Sequence, residues 1–369
     1  MSTFEWNNRN ILLALHETEG IGWKSIHKIT LRSDLTECIH FGDREWAEIG
    51  FNPGQRKKIA GALRTETIVP ILERYERLGV RIITMLDEDY PPLLKVTYEP
   101  PWVLYAIGRT DLLITPTIAM VGTRVPTSYG RASAIKLAEQ LSGSGLTIVS
   151  GMAKGIDRYA HEGALSCGGD TIAVLGTSVE RIYPPENRAL YQSIADKGLI
   201  ISEYPFGTTS HPGLFPRRNR IIAGIALGTV VVEAAEKSGS LITADQALEM
   251  SREVYAVPGP ISSPKSEATN RLIAEGAKLV RHANDILVDF IHRGDIRSGL
   301  PAGKIAKKPA SALSDEERLI LQLLQDKPSS ADELHERSGL AFGHLHAILI
   351  NLSIKRLIEQ HPGFIYSVL

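Results

Sequence analysis

From Thr117 onward the chain alternates short apolar runs with amphipathic segments, and this alternation constrains the fold more than any other feature. The runs are Ile118–Val121, Thr147–Val149, Ile172–Leu175, Leu199–Ile201, Thr229–Val232, Val254–Val257 and Lys278–Val280. Helical patterns separate or follow them at Tyr129–Leu141, Ile156–Leu165, Asn187–Asp196, Pro216–Ala223, Ile242–Met250, Thr269–Glu275 and Asp285–Ile291. A strand that is apolar on both faces belongs in the middle of a parallel sheet covered on both sides. The spacing therefore predicts an α/β fold with a Rossmann-like, doubly wound, mostly parallel sheet. Trp102-Val103-Leu104-Tyr105 adds a candidate edge strand before it.

The flanks read differently. Residues 1–85 are helical in pattern and contain Glu19-Gly20-Ile21-Gly22-Trp23, the Gly-x-Gly turn of a helix-hairpin-helix. Such a turn either offers backbone N–H groups to a phosphate or merely packs two helices. A weaker echo stands at Ile49-Gly50-Phe51-Asn52-Pro53-Gly54. The core is then expected over 86–292. Residues 293–312 mix Arg293, Arg297, Lys304, Lys307 and Lys308 with Gly, Pro, Ser and Ala, the composition of a basic flexible linker. In 313–369, Ser314-x-x-Glu317 and Ser330-x-x-Glu333 fit capping boxes. Helices are predicted over Asp315–Gln325, Ala331–Ser338 and Phe342–Glu359, with a terminal strand at Phe364–Val368, together a small winged-helix-like domain. The start of its third helix, Gly343-His344-Leu345-His346, holds no Lys or Arg, so protein contact is as good a reading as duplex reading.

Several domains are what 369 residues lead one to expect. The net charge of −1 means that a polyanionic partner would have to be held by local basic patches. Two cysteines, Cys38 and Cys167, make no disulfide framework, which fits a reducing compartment. The first ten residues have no signal-peptide pattern, and no apolar run reaches the ~20 residues that span a bilayer. A cytoplasmic location is expected.

In an open parallel sheet, ligands bind beyond the carboxyl ends of the strands. Here those ends are small or polar, and arginines gather on them. The candidate binding residues are Gly122, Thr123 and Arg124, Ser150 and Gly151 with Lys154, Arg217, Arg218, Asn219 and Arg220, and Ser238, Gly239 and Ser240. Glycine admits a ligand close to the backbone, helix N-termini attract anions, and arginine matches phosphate oxygens. On a helix Arg217 and Arg220 share a face while Arg218 points elsewhere. One of the three is therefore expected to pair with an acid such as Glu203 or Glu233. Asn219 either bonds a phosphate or sugar or caps the helix. Phe215 and Tyr183 can stack on bases, or pack. Asp157 and His161 are four apart, but no further metal-ligand cluster accompanies them; helix-start and packing roles are expected. No nucleophile elbow surrounds Ser150, Ser238 or Ser240, and no Walker motif is present.

From about Tyr90 to Phe290 the chain resembles the DprA/Smf family of DNA-processing proteins. The resemblance is carried by Val121-Gly122-Thr123-Arg124, Ser150-Gly151-Met152-Ala153-Lys154-Gly155-Ile156-Asp157 and Tyr183-Pro184-Pro185-Glu186-Asn187. It continues through Phe215-Pro216-Arg217-Arg218-Asn219-Arg220, Ser238-Gly239-Ser240-Leu241-Ile242-Thr243-Ala244, Val257-Pro258-Gly259 and Asn270-Arg271-Leu272-Ile273. It implies single-stranded DNA binding, loading of the RecA recombinase during natural transformation, single-strand-binding protein as a further partner, and a homodimer. It implies no catalytic residue, no metal and no cofactor. The helical N-terminal module resembles the helix-hairpin-helix/SAM-like flank of longer members. Two positions depart from the pattern: Ala268 and Ser251 each stand where a glycine is expected. Two rival readings remain, a nucleotide phosphoribohydrolase using Glu203 or Glu233 as acid or base, and an adaptor acting through its winged helix.

Overall fold

The computed structural model describes residues 4–291, 315–354, 357–361 and 365–368, in two compact units divided at Pro301/Ala302. The linker expected over 293–312 lies outside the described residues.

The first unit opens with helices α1 (Asn8–Glu17), α2 (Trp23–Thr30), α3 (Asp43–Ile49), α4 (Pro53–Ala62) and α5 (Thr65–Arg77). Asn7 and Asn52 cap α1 and α4, each accepting from a first-turn N–H. Then come β1 (Arg81–Thr84), α6 (Pro92–Lys95), β2 (Val103–Gly108), β3 (Thr117–Val121), α7 (Ser128–Gly143), β4 (Thr147–Ser150) and α8 (Ile156–Ser166). They are followed by β5 (Thr171–Val174), α9 (Arg188–Lys197), β6 (Leu199–Ser202), α10 (Leu214–Ile225), β7 (Gly228–Val231), α11 (Ser240–Glu249), β8 (Glu253–Ala256), α12 (Glu267–Ala274), β9 (Lys278–Leu279) and α13 (Asn284–Ile291).

All nine strands form one sheet in the order β1-β2-β6-β5-β4-β3-β7-β8-β9. From β6 to β9 neighbours run parallel; β2 pairs antiparallel to β6, and β1 antiparallel to β2. Strands β3 to β7 are buried at every position, as their apolar runs require. The chain winds outward from β3 through β4 and β5 to β6, then returns by α10 to β7 on the other side of β3. Between β3 and β7 lies the topological switch point, where the carboxyl ends of the strands leave a crevice. The expected doubly wound sheet is present; the strand expected at 102–105 is present as β2, but it is flanked on both sides, and β1 takes the edge.

Strand β1 falls within the range expected to be helical. Its four residues, Arg81-Ile82-Ile83-Thr84, bury only the last two and gain strand form by pairing with β2. The helices α1–α5 share an apolar core with the sheet, including Ile11, Leu15, Trp46, Trp102, Tyr105 and Ile200. Glu17 locks that contact by accepting from Tyr75 Oη (2.7 Å) and from Tyr105 Oη. The Gly20–Gly22 turn lies against the core as well: Trp23 stacks on Trp102 at 5.7 Å and donates to the Pro100 carbonyl at 2.6 Å.

The second unit contains α14 (Asp315–Asp326), β10 (Ser329–Ser330), α15 (Ala331–Ser338), α16 (Phe342–Ile354), β11 (Ile358–His361) and β12 (Ile365–Val368). Its sheet runs β10-β12-β11, all antiparallel, over a core of Ile320, Leu324, Leu334, Leu345, Leu349 and Ile358. This is a winged helix. The Ser330 box is formed as expected, with reciprocal bonds to Glu333 of 3.2 and 3.0 Å. The third helix is shorter than expected. It ends at Ile354, and Ile358–His361 pairs with β12 as the wing. Apolar content alone had run these two elements together.

Candidate nucleic-acid interface

The crevice at the switch point opens into a cleft of about 630 Å³. Gly122 and Arg124 line it from the end of β3, Ser238, Gly239 and Ser240 from the start of α11, and Phe215, Arg218 and Asn219 from α10. Tyr183 and Asp157 line it as well.

The loop between β4 and α8 is the rigid part. Asp157, in the first turn of α8, accepts from the backbone N–H groups of Gly151 (3.2 Å) and Ala153 (3.4 Å). Asn187, 2% exposed, donates to the carbonyls of Met152 (2.8 Å) and Ala153 (3.3 Å). Between these two clasps Met152 is held at φ +59°, an uncommon region for a side chain of its size. Gly155 sits at φ +80°, and a Cβ there would collide with the backbone of Thr123 and Arg124. Asp157 was expected to satisfy the start of the helix; its carboxylate instead ties down the loop before it, at Gly151 and Ala153. Asn187 was missed as a clasp, because its partners lie 35 and 34 residues away in sequence.

Opposite this loop, the end of β7 fixes the end of β3. Glu233 is 2% exposed. Its carboxylate accepts from the Thr127 N–H (2.9 Å) and the Thr127 hydroxyl (2.5 Å), and its carbonyl accepts from the Thr123 N–H (2.7 Å).

The three arginines of α10 part company. Arg218 is 4% exposed and reaches under the cleft. It donates through Nη1 to the carbonyls of Gly151 (2.6 Å) and Val174, and through Nε to Asn219 Oδ1 (3.1 Å). Its guanidinium lies so close to Gly151 that any Cβ at that position would strike it. Burial lowers its pKa to about 10, Asp157 works the other way, and Arg124 adds to the lowering. It stays charged at neutral pH. Burial in turn pushes the Asp157 carboxyl up, against the opposing pull of Arg218. Arg217 is exposed and does not line the cleft. Arg220 leaves it altogether: its Nη2 donates to Glu203 Oε1 at 2.5 Å, with side chains 12% and 9% exposed. The expected pairing of one arginine with Glu203 is observed, and the arginine is 220. The face shared by 217 and 220 points away from the cleft, and the side chain set apart by helical spacing, Arg218, is the one that enters it.

Ser150 also lies outside the cleft. It is fully buried at the end of β4, and its hydroxyl donates to the Met120 carbonyl at 2.6 Å. Thr123 is spent on backbone ties to Glu233 and Ile156 at the rim. Lys154 is half exposed and pairs with Glu186 at 2.5 Å. Ser238 and Ser240 bond each other at 2.8 Å beside the uncapped N-terminus of α11. Phe215 packs over Gly176 and meets Tyr183 at a ring distance of 5.2 Å. Tyr183, 46% exposed, is the ring available to a ligand. His161 is fully buried and meets Thr171 Oγ1 at 2.7 Å, which matches the packing role expected for it. Its pKa falls to about 3 through burial and the nearby Arg218. Among the described residues there is no group of three or more His, Cys, Asp or Glu that could hold a metal. No described helix is long and apolar enough to cross a membrane.

Fold and cleft together define a doubly wound Rossmann-like protein with a cationic crevice at its switch point and an appended winged helix. The family model of DNA recombination-mediator protein A matches residues 81–291, and that of the DprA winged helix domain matches residues 304–363. The chain belongs to the DprA/Smf family of DNA-processing proteins. Protein Smf of Synechocystis is 35% identical over 96% of this chain and 97% of its own. DNA processing protein DprA of Bacillus subtilis is 42% identical over 60% of this chain and 75% of its own. The crystal structure of DprA from Streptococcus pneumoniae superposes with a TM-score of 0.66 at 34% identity, covering 78% of this chain and 99% of that one. A structure describing the single-stranded DNA binding mode of DprA from Helicobacter pylori gives a TM-score of 0.53 at 32% identity, over 58% of this chain and 96% of that one.

Proposed function

We propose that this protein binds single-stranded DNA in the switch-point cleft and delivers it to the RecA recombinase during natural transformation and recombination. The observation that carries the binding is the meeting of exposed Arg124 and buried Arg218 beside the exposed ring of Tyr183. Two cations with a stacking surface suit a flexible sugar-phosphate chain with an accessible base. Gly122, Asn219, Ser238, Gly239 and Ser240 shape the wall, while Gly151, Thr123 and Ser150 hold it up from behind. The relative from Helicobacter pylori, whose structure describes a single-stranded DNA binding mode, supports this ligand. The RecA step, a homodimer, contact with single-strand-binding protein and a cytoplasmic setting belong to the same proposal and rest on the family resemblance.

The protein acts by binding, without catalysis or cofactor. The two carboxylates that an acid–base reaction could use are committed elsewhere, Glu203 to Arg220 and Glu233 to Thr127. A titration of fluorescent oligothymidylate at several salt concentrations, with duplex competitor, tests the reading. Affinity should fall with a log–log slope near −0.7 per phosphate neutralised, survive removal of residues 302–369, and drop in Arg124→Ala. Preference for duplex, or indifference to salt, would refute it. Faster RecA filament assembly on strands covered by single-strand-binding protein tests the delivery step.

A further inference from the structure

The cleft does not stop at Arg124. The same side chain lines a second groove of about 480 Å³ that runs between the starts of α7 and α8. Arg131, Lys154 and Arg158 line it too, against one lining carboxylate, Glu186. Glu162 is held to Arg158 at 2.7 Å from outside the groove. Four cations facing these two acids leave an excess of two positive charges. The Arg131 guanidinium lies over the Tyr159 ring, 5.8 Å from its centroid. The N-cap of helix α8 is Gly155, with no side-chain cap, and Gly155 and Arg158 line the groove. Two chambers joined through one arginine suit a ligand with several successive charges better than a mononucleotide.

We propose that this groove is a second phosphate subsite, which holds the backbone of the same DNA strand as it passes Arg124. The inference rests on the single-strand reading of the first cleft. Its test compares oligothymidylates of about four and about twelve nucleotides, lengths within the range of single-strand site sizes. In the double variant Arg131→Ala/Arg158→Ala the longer strand should lose about tenfold or more in affinity, and the shorter should stay within about twofold. Two lost phosphate contacts should lower the salt slope for the longer strand by about 1.4. Arg131→Lys/Arg158→Lys keeps the charges and should recover most of the binding, which separates a lost contact from a damaged fold. Equal loss on both lengths, or none on the longer, overturns the inference. So does a loss of inorganic tripolyphosphate binding as large as that of the longer strand, since the groove would then be a free-anion site. If instead Arg124→Ala leaves both lengths unaffected, it is the single-strand cleft itself that fails.

Discussion

Arg220 and Glu203 meet through a single hydrogen bond of 2.5 Å at the foot of α10, each about a tenth exposed. Removing one partner of a buried pair leaves the other desolvated and alone, at a cost of about 3 kcal/mol or more. Arg220→Ala should therefore lower the stability measured by urea unfolding. The double replacement Arg220→Met/Glu203→Leu should recover most of that loss. A normal midpoint in Arg220→Ala would contradict the structural assignment.

Arg124 carries the opposite expectation. It is exposed and braces nothing, so Arg124→Ala should leave the unfolding midpoint within about 0.5 kcal/mol. Losing one charged contact to phosphate should weaken oligothymidylate binding roughly tenfold or more. Fluorescence anisotropy at fixed salt measures it.

Tyr183 and Phe215 should separate in the same way. Stacking of one base on an aromatic ring contributes about 1–3 kcal/mol. Tyr183→Ala should thus cost roughly tenfold in affinity at little cost in stability. Phe215→Ala removes the ring packed on Gly176 and should show first as a lowered melting temperature.

His161 sets a pH limit. Its folded pKa, about 3, lies below its ordinary 6.5, so the unfolded chain binds the extra proton on acidification. The stability associated with the neutral ring is complete above pH 6.5 and is lost as pH falls toward 3. Between about pH 6 and pH 5 the slope should approach 1.4 kcal/mol per pH unit. Urea titrations of the protein and of His161→Gln should differ by that slope. Parallel curves would exclude the assignment.

Ser251 stands at φ +56°, where α11 closes with the Ser251 and Arg252 N–H groups bonded back to Leu248 and Ala247. A glycine would hold this conformation without the strain a Cβ brings. Ser251→Gly should raise stability by up to about 1 kcal/mol, and Ser251→Val should lower it by about 1 kcal/mol or more. Thermal unfolding of the two variants decides.

The strands of the sheet were legible because burial on both faces leaves continuous apolar runs that few other structures tolerate. The edge strand β1 was not, since half of it is wet and its form comes from β2. At the cleft, Arg124, Gly151 and Arg218 could be picked out from their place at strand ends and helix starts. The separate fates of Arg218 and Arg220 could not. They depend on which strand lies beside α10, and Glu203 becomes a neighbour of Arg220 only through the order of the folded sheet. Helical spacing alone grouped 217 with 220, without saying which face meets the crevice. The groove between α7 and α8 escaped notice for a related reason: Arg131 and Arg158 belong to two helices whose starts adjoin only after folding.

Asp157 and Asn187 hold the 151–155 loop from two sides before any ligand arrives. A strand entering the cleft therefore finds it finished, and the ordering needed for binding falls on the DNA alone. Capture should then follow collision in a single kinetic phase, with a rate that tracks ionic strength and no slower rearrangement behind it. Release should likewise require no unlocking step, so dissociation should follow a single phase that also tracks ionic strength.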